Sequence, residues 1–171
     1  MKQSITTKLS EIINKRVEAE NAAKAYHQVK KDLAKSLVLE MAEDIMSLHP
    51  EIEMILWNQY TPYRNDGEEC RFSICEPLMR LSKSFTNSFS EQEKICFYCC
   101  NDDGKSEDIY ELSFYSDFSC SEKIKSLAVS IREFYNLLLE FEDVMEEVFG
   151  NHCTIRIARD RTLSFEEYEH S

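Results

Sequence analysis

The chain has 171 residues, 43% of them hydrophobic, and it carries 20 Lys and Arg against 32 Asp and Glu, a net charge of −12. This length suits one domain with room for an appendage, and no apolar run approaches the roughly 18 residues that a membrane span requires. The acidic balance argues against direct binding to duplex nucleic acid, which requires a basic face that neutralises phosphates.

The N-terminus and the cysteines indicate a cellular compartment. The first residues, MKQSITTKLSEI, contain no continuous apolar block of the kind that forms a signal peptide. The chain has seven cysteines, and without an export signal they are expected to be free thiols used as small hydrophobic residues. We therefore expect a soluble protein of the cytoplasm.

The N-terminal segment is expected to be helical. Residues 3–48 contain neither Gly nor Pro, and their apolar residues recur at a spacing of three and four. This predicts one long helix, or two helices broken near Asn21, that end at Leu48 because the residue before Pro50 disfavours helical backbone. Arg16 and Lys30 fall on the seam of a strict heptad, which weakens a coiled-coil assignment without excluding it.

A helix of this length cannot bury its whole surface against a domain of roughly 120 residues. Residues 1–49 are therefore interpreted as a helical arm for assembly or docking, through which the chain forms a homo-oligomer or meets a partner. Residues 50–171 are expected to form the acidic α+β domain, since residues 51–171 carry 12 Lys and Arg against 25 Asp and Glu, a net charge of −13. Its surface is either an ordinary solvated face or a binding surface for a basic or nucleic-acid-binding protein.

Three hairpins are predicted in the domain from paired β-prone segments with turn residues between them. The pairs are Ile52–Tyr60 with Cys70–Cys75, Lys94–Cys100 with Asp108–Ser116, and Cys153–Ile157 with Leu163–Tyr168. Between the first two hairpins, Pro77–Phe89 is expected to be a connection with a helical turn around Leu78–Leu81.

A helix over Ser119–Phe149 is predicted from an apolar stripe, with a capping box of Ser119 and Glu122 before it and Gly150 after it. The elements together predict an α+β fold. Its antiparallel sheet is built from hairpins, one face is packed by this helix of the C-terminal half, and a long N-terminal helix precedes it.

Chemical motifs are scarce in the sequence. Four cysteines are weak candidates for zinc ligands, but their spacers lack Gly and look like strand, which turns the thiols to opposite faces. They are Cys70, Cys75, Cys96 and Cys99. The chain has no P-loop, GxGxxG, HExxH or GxSxG, and no cofactor or catalytic residue is assigned.

The turn after the first strand is the least generic stretch. Trp57, Tyr60 and Tyr63 are large residues with a polar tip, the type enriched at binding hot spots, and Arg64 adds a planar set of donors. Either these aromatic residues fill the core or the loop binds a partner. Asp66 and Glu68 complete the candidate binding set.

Two stretches, WNQYTPYRNDGEEC at 57–70 and FGNHCTIRIARDRTLSFEEYEH at 149–170, resemble a family of small uncharacterised proteins of tailed bacteriophages. The pattern departs from that family at Asp160-Arg161, where Asp-Gly is expected. The resemblance brings no activity or catalytic residue, but it implies action inside an infected bacterial cell.

The sequence therefore favours a non-enzymatic, acidic protein-interaction module that modulates or inhibits a host or defence complex. Two alternatives stay open. One is an enzyme that acts on a nucleotide or nucleic acid through the 60–69 loop, and the other is a zinc-stabilised binding module.

Overall fold

A computed structural model describes residues 2–62, 70–90, 97–99, 109–112 and 121–167, with side chains from residue 8 onward except at 97–99 and 111–112. The helices are α1 (Lys2–Leu48), α2 (Lys83–Thr86), α3 (Glu122–Glu140) and α4 (Glu142–Phe149). The strands are β1 (Ile52–Tyr60), β2 (Ser73–Ile74), β3 (Leu78–Leu81), β4 (Phe97–Cys99), β5 (Ile109–Leu112), β6 (Cys153–Ala158) and β7 (Leu163–Glu167).

The strands form one open sheet in the order β4-β5-β3-β1-β6-β7, and every described pairing is antiparallel. The short β2 also pairs with β1, opposite Gln59 and Tyr60, while β3 pairs with the opposite end of β1. The two are thus consecutive pieces of one interrupted strand. Pro77 lies between them, and its missing N–H removes a donor from the ladder.

The core lies between one face of this sheet and the helices. On β1 the inward positions include Ile55 and Trp57, and β6 aligns Ile157 and Ile155 beside them. Trp57 meets the rings of Phe134 in α3 and Phe149 in α4 edge to face, at centroid distances of 5.8 and 5.6 Å. The α+β class, the antiparallel sheet, the covering helices and the long N-terminal helix are therefore confirmed.

The helix α1 runs without a break through Asn21 and ends at Leu48 as predicted. Its C-terminal half packs against α3, α4 and β1 through buried residues at a spacing of three and four. They are Ala34, Val38, Ala42 and Ile45. From residue 8 to residue 26, in contrast, every position of α1 is exposed. None of the described helices is long and apolar enough to cross a membrane.

Two local predictions were wrong. Leu78–Leu81 forms β3 and not a helical turn, and its burial alternates, with Met79 and Leu81 inside. A four-residue apolar run fits either structure, so its pairing with β1 and β5 decided the outcome. The single helix predicted for Ser119–Phe149 is divided at the buried Phe141 into α3 and α4.

The start of α3 also differs from the prediction, whereas the end of α4 agrees with it. Ser121 precedes α3 and makes no capping hydrogen bond through its side chain, while Ser119 lies outside the described residues. Gly150 ends α4 with a φ of 96°, as its position predicted, because glycine adopts that conformation without strain.

The hairpins β4–β5 and β6–β7 are present. The hairpin predicted for Ile52–Tyr60 and Cys70–Cys75 is reduced to the short pairing of β1 with β2. In the β6–β7 turn Arg161 has a φ of 68°, a left-handed conformation that glycine adopts more readily. The turn is stabilised by Asp160, whose carboxylate accepts from the Thr162 N–H at 2.9 Å. Hydrogen bonds from Thr162 lower the pKa of Asp160.

Candidate functional site

The aromatic turn separates into parts with different surroundings. Trp57 is fully buried, and its Nε1–H donates to the Oε1 atom of Gln59 at 3.1 Å. The amide nitrogen of Gln59 in turn donates to the carbonyls of Met145 and Gly150 at the end of α4. Trp57 therefore belongs to the core, where it joins the sheet to the helices, and is not available to a partner.

The end of β1 beside this core is anchored by Asn151. Its Oδ1 atom accepts from the Thr61 N–H at 2.9 Å, and its Nδ2 atom donates to the Thr61 hydroxyl at 3.0 Å. Tyr60 and Pro62 are half-buried at this position. The remaining candidates of the loop, Tyr63, Arg64, Asp66 and Glu68, lie outside the described residues.

The described cysteines have the surroundings of ordinary thiols. Cys70 and Cys75 are free and half-buried, and burial raises the pKa of Cys75. In the part of the chain that the structure describes, no group of three His, Cys, Asp or Glu residues is placed to hold a metal ion. Cys96 and the side chain of Cys99 are not among the described positions.

A buried polar cluster lies where α1 passes into β1, and no sequence motif indicates it. The Nε2 atom of His49 lies 3.0 Å from the hydroxyl of Ser130 in α3, and its Nδ1 atom lies 3.7 Å from the Oε1 atom of Glu51. Burial lowers the pKa of His49, the nearby Glu51 raises it in part, and Lys123 lowers it again. His49, Glu51 and Ser130 are all buried.

The order Ser130–His49–Glu51 is that of a catalytic triad, but the geometry does not support nucleophilic catalysis. A triad requires the carboxylate to hydrogen-bond the imidazole and the hydroxyl to face a substrate. Here the carboxylate–imidazole distance is 3.7 Å, and the Ser130 hydroxyl does not line either of the clefts described below. The cluster therefore joins α1, β1 and α3 structurally.

A shallow cleft of about 370 Å³ opens beside this cluster, next to α2 and the start of α3. Glu51 lines it and is ion-paired with Lys123, whose Nζ atom lies 3.2 Å from Oε2. The same Nζ atom lies 4.4 Å from the centroid of the Phe85 ring. The remaining lining residues are Pro50, Ser82, Ser84 and Ser88.

A second cleft, of about 320 Å³, lies between α1 and the β6–β7 turn. Its two arginines already have partners within the chain. Arg159 donates to the carbonyls of His49 and Ile52, and Arg161 is paired with the carboxylate of Glu43. Arg159 therefore stabilises the α1–β1 junction, and Arg161 joins the β6–β7 turn to α1.

Among the described residues, an exposed apolar surface lies on the N-terminal half of α1. Four large apolar residues there are between 49% and 64% exposed: Leu9, Ile12, Ile13 and Val17. A second exposed apolar stripe on α1 contains Tyr26, Val29 and Leu33.

The sequence motifs indicated the arm but not the junction cluster. Leu48-His49-Pro50 indicates only a helix end, and Ser130 is 81 residues from His49 along the chain. The available signal was a serine within the apolar stripe of α3, which does not reveal its partner. No family model matches the chain, and no curated protein or solved structure matches it either.

Proposed function

We propose that this chain is a non-enzymatic protein-interaction module that assembles by antiparallel pairing of its N-terminal helix with that of a second copy. The observation that carries the proposal is the exposed apolar face of residues 9–17, which projects beyond the domain. At about 1.5 Å per residue, the helix before His27 extends roughly 35 to 40 Å.

The apolar face continues the side of α1 that packs on the domain. Leu9, Ile12 and Ile13 each precede one of the residues His27, Lys30 and Lys31 by 18 positions, which is five turns of an α-helix. His27 and Lys31 contact Glu147, and Lys30 contacts Asp143, all in α4. The same side of α1 thus meets α4 near the domain, and its large apolar residues farther out are exposed.

A second copy fits this face because large and small residues are segregated along the arm. Leu9, Ile12, Ile13 and Val17 lie in the distal part, while Ala23 lies nearer the domain on the same face, with Ala19 at its edge. In an antiparallel pair centred near residue 18, Ile13 of one arm lies near Ala23 of the other, and Val17 lies near Ala19. Alternating large and small residues fill such an interface at protein density.

The charges favour the same arrangement. Residues 8–26 carry four Lys and Arg and three Asp and Glu, so two arms approach without strong repulsion. Arg16 and Glu20 are bonded to each other at 2.8 Å on the packing side, and each is able to pair with its counterpart on an antiparallel copy. Antiparallel pairing also keeps the two acidic domains at opposite ends, farther apart than the Debye length of about 8 Å.

The proposal is tested by light scattering and sedimentation equilibrium over a range of concentrations. The intact chain is expected to form dimers, and the double variant I12Q/I13Q is expected to be monomeric. The matched control is V29Q/L33Q, which replaces two residues of similar exposure on the other stripe of α1. A monomeric intact chain contradicts the proposal, and loss of the dimer only in the control variant assigns the interface to the other stripe.

Orientation is tested by disulfide cross-linking with introduced cysteines. Copies with Ile13→Cys are mixed with copies with Ala23→Cys, and each variant is also oxidised alone. An antiparallel pair centred near residue 18 predicts cross-links mainly in the mixture. Efficient cross-linking of the Ile13→Cys copies alone indicates a parallel pair instead.

We also propose that the assembled module modulates or inhibits a protein complex of a host bacterium. The acidic domain supports a basic or nucleic-acid-binding target, because its charge attracts such proteins and repels nucleic acid. The resemblance of residues 57–70 and 149–170 to phage proteins supports the infected cell as its setting. Affinity purification from infected and uninfected cells, with the I12Q/I13Q variant as the comparison, tests this part.

A further inference from the structure

The carboxylate of Glu51 is placed as a binding group, since it is buried yet incompletely satisfied. Its side chain is 3% exposed and lines the cleft beside α2. Neither carboxylate oxygen accepts a hydrogen bond of acceptable geometry from the described residues. A buried carboxylate that lacks its hydrogen bonds is costly, so the site favours a ligand that supplies donors.

The contacts of Lys123 indicate that the ligand of this site is a cation. Its ammonium lies between the Glu51 carboxylate and the face of Phe85, the arrangement in which a cation is attracted by both. Yet the Lys123 side chain is 54% exposed and lies in the first turn of α3, where the helix dipole disfavours a positive charge. Lys123 is therefore a weakly held cation, and a cation that binds Glu51 more strongly is able to displace it.

We propose that this cleft binds a guanidinium group, the side chain of an arginine on a partner protein, and that Lys123 covers the site until it arrives. A guanidinium is planar and carries five N–H donors, two of which match the two oxygens of Glu51. Its flat face stacks on Phe85. The hydroxyl oxygens of Ser82, Ser84 and Ser88 at the rim of the cleft accept the remaining hydrogens.

An anionic ligand fits the cleft poorly. Lys123 is its only cationic lining residue among those described, and that ammonium is already bound to Glu51. The buried carboxylate repels a phosphate or a second carboxylate. The acidic domain, in contrast, attracts a basic segment over a longer range. The proposal concerns the domain surface and does not rest on pairing of the arm.

The test is calorimetric titration of the full chain with an acetylated and amidated Gly-Arg-Gly peptide, with the citrulline peptide as its neutral isostere. The arginine peptide is expected to bind and the citrulline peptide is not. Glu51→Gln is expected to weaken binding at least tenfold, since it removes the charge that a guanidinium pairs with. Lys123→Gln is expected to strengthen binding several-fold, since it removes the competing cation.

The result for Lys123→Gln distinguishes this site from an anion site, where loss of the lysine weakens binding. Methylguanidinium as a second titrant shows whether a free guanidinium is sufficient or the peptide is needed. If Glu51→Gln does not fold by circular dichroism, Phe85→Leu takes its place, with weaker binding expected. Unchanged affinity in these variants, weaker binding in Lys123→Gln, or equal binding of the citrulline peptide overturns the proposal.

The I12Q/I13Q variant separates this proposal from pairing of the arm. It is expected to bind the arginine peptide as the intact chain does, because both substitutions lie outside the domain. If the intact chain is a dimer but does not bind the arginine peptide, the cleft proposal is wrong and pairing of the arm is retained. If the intact chain is a monomer but binds the peptide, pairing of the arm is wrong and the cleft proposal is retained.

Discussion

The two halves of α1 have similar composition but different surroundings. In the C-terminal half, Ala34, Val38 and Ile45 are buried against α3, α4 and the sheet, while Ile12 and Ile13 in the N-terminal half are exposed. Both halves therefore have similar helix propensity, but only the C-terminal half has buried contacts with the domain among the described residues. Because most of the stability of a helix in a protein comes from packing of its apolar face, a partner is expected to stabilise the outer half more than the inner half.

The largest expected difference between the halves is in stability. Ile45→Ala removes a buried side chain and is expected to lower the free energy of unfolding by about 2–5 kcal/mol. Ile12→Ala, the same chemical change at an exposed position, is expected to change it by less than about 0.5 kcal/mol. Denaturant unfolding at a concentration where the chain is monomeric measures both. Equal losses in the two variants contradict the division of α1.

The junction at the end of α1 gives an intermediate effect. His49→Leu leaves the buried Ser130 hydroxyl without its His49 contact and is expected to cost about 1–3 kcal/mol at neutral pH. The comparison variant Ser130→Ala leaves the buried Nε2 atom of His49 without the same contact and is expected to cost a similar amount.

The contribution of His49 to stability is also expected to depend on pH. Since burial lowers the pKa of His49, the unfolded chain takes up the proton first as the pH falls. The stabilisation is present above the ordinary histidine pKa of about 6.5 and is lost as the pH falls below it toward the pKa in the folded state. His49→Leu is expected to flatten this slope between pH 7 and pH 5, whereas Ser130→Ala keeps it. An unchanged slope in His49→Leu argues against the effect.

The smallest effect is expected at the boundary between the halves, where α1 and α4 are joined by exposed ion pairs. Lys31, followed by His27, lowers the pKa of Glu147, so this contact stabilises the fold above the ordinary glutamate pKa and is lost as the pH falls toward the lowered value. Lys31→Gln is expected to lower Tm slightly in low salt and not measurably in 1 M salt, because salt screens exposed pairs. Faster amide exchange near residue 27, with little change near residue 42, is the local sign of the same loss.

Much of the secondary structure follows from local patterns. The absence of Gly and Pro determined the extent of α1, and Gly150 determined where α4 ends. Alternating apolar residues around Asp160-Arg161 specified the β6–β7 hairpin. Leu78–Leu81 could not be assigned in this way, because four residues do not establish a period and their pairing with β5 spans about 30 positions.

The sequence by itself determined the α+β class, the long helix and the uneven charge, because these depend on composition and on neighbours a few residues apart. Only the tertiary structure decided that Trp57 lies in the core, that α1 extends past the domain, and that Glu51 is buried beside Lys123 and Phe85. The physical reason is the same in each case. Burial depends on side chains brought together from distant positions, and a one-dimensional pattern does not specify which of them meet.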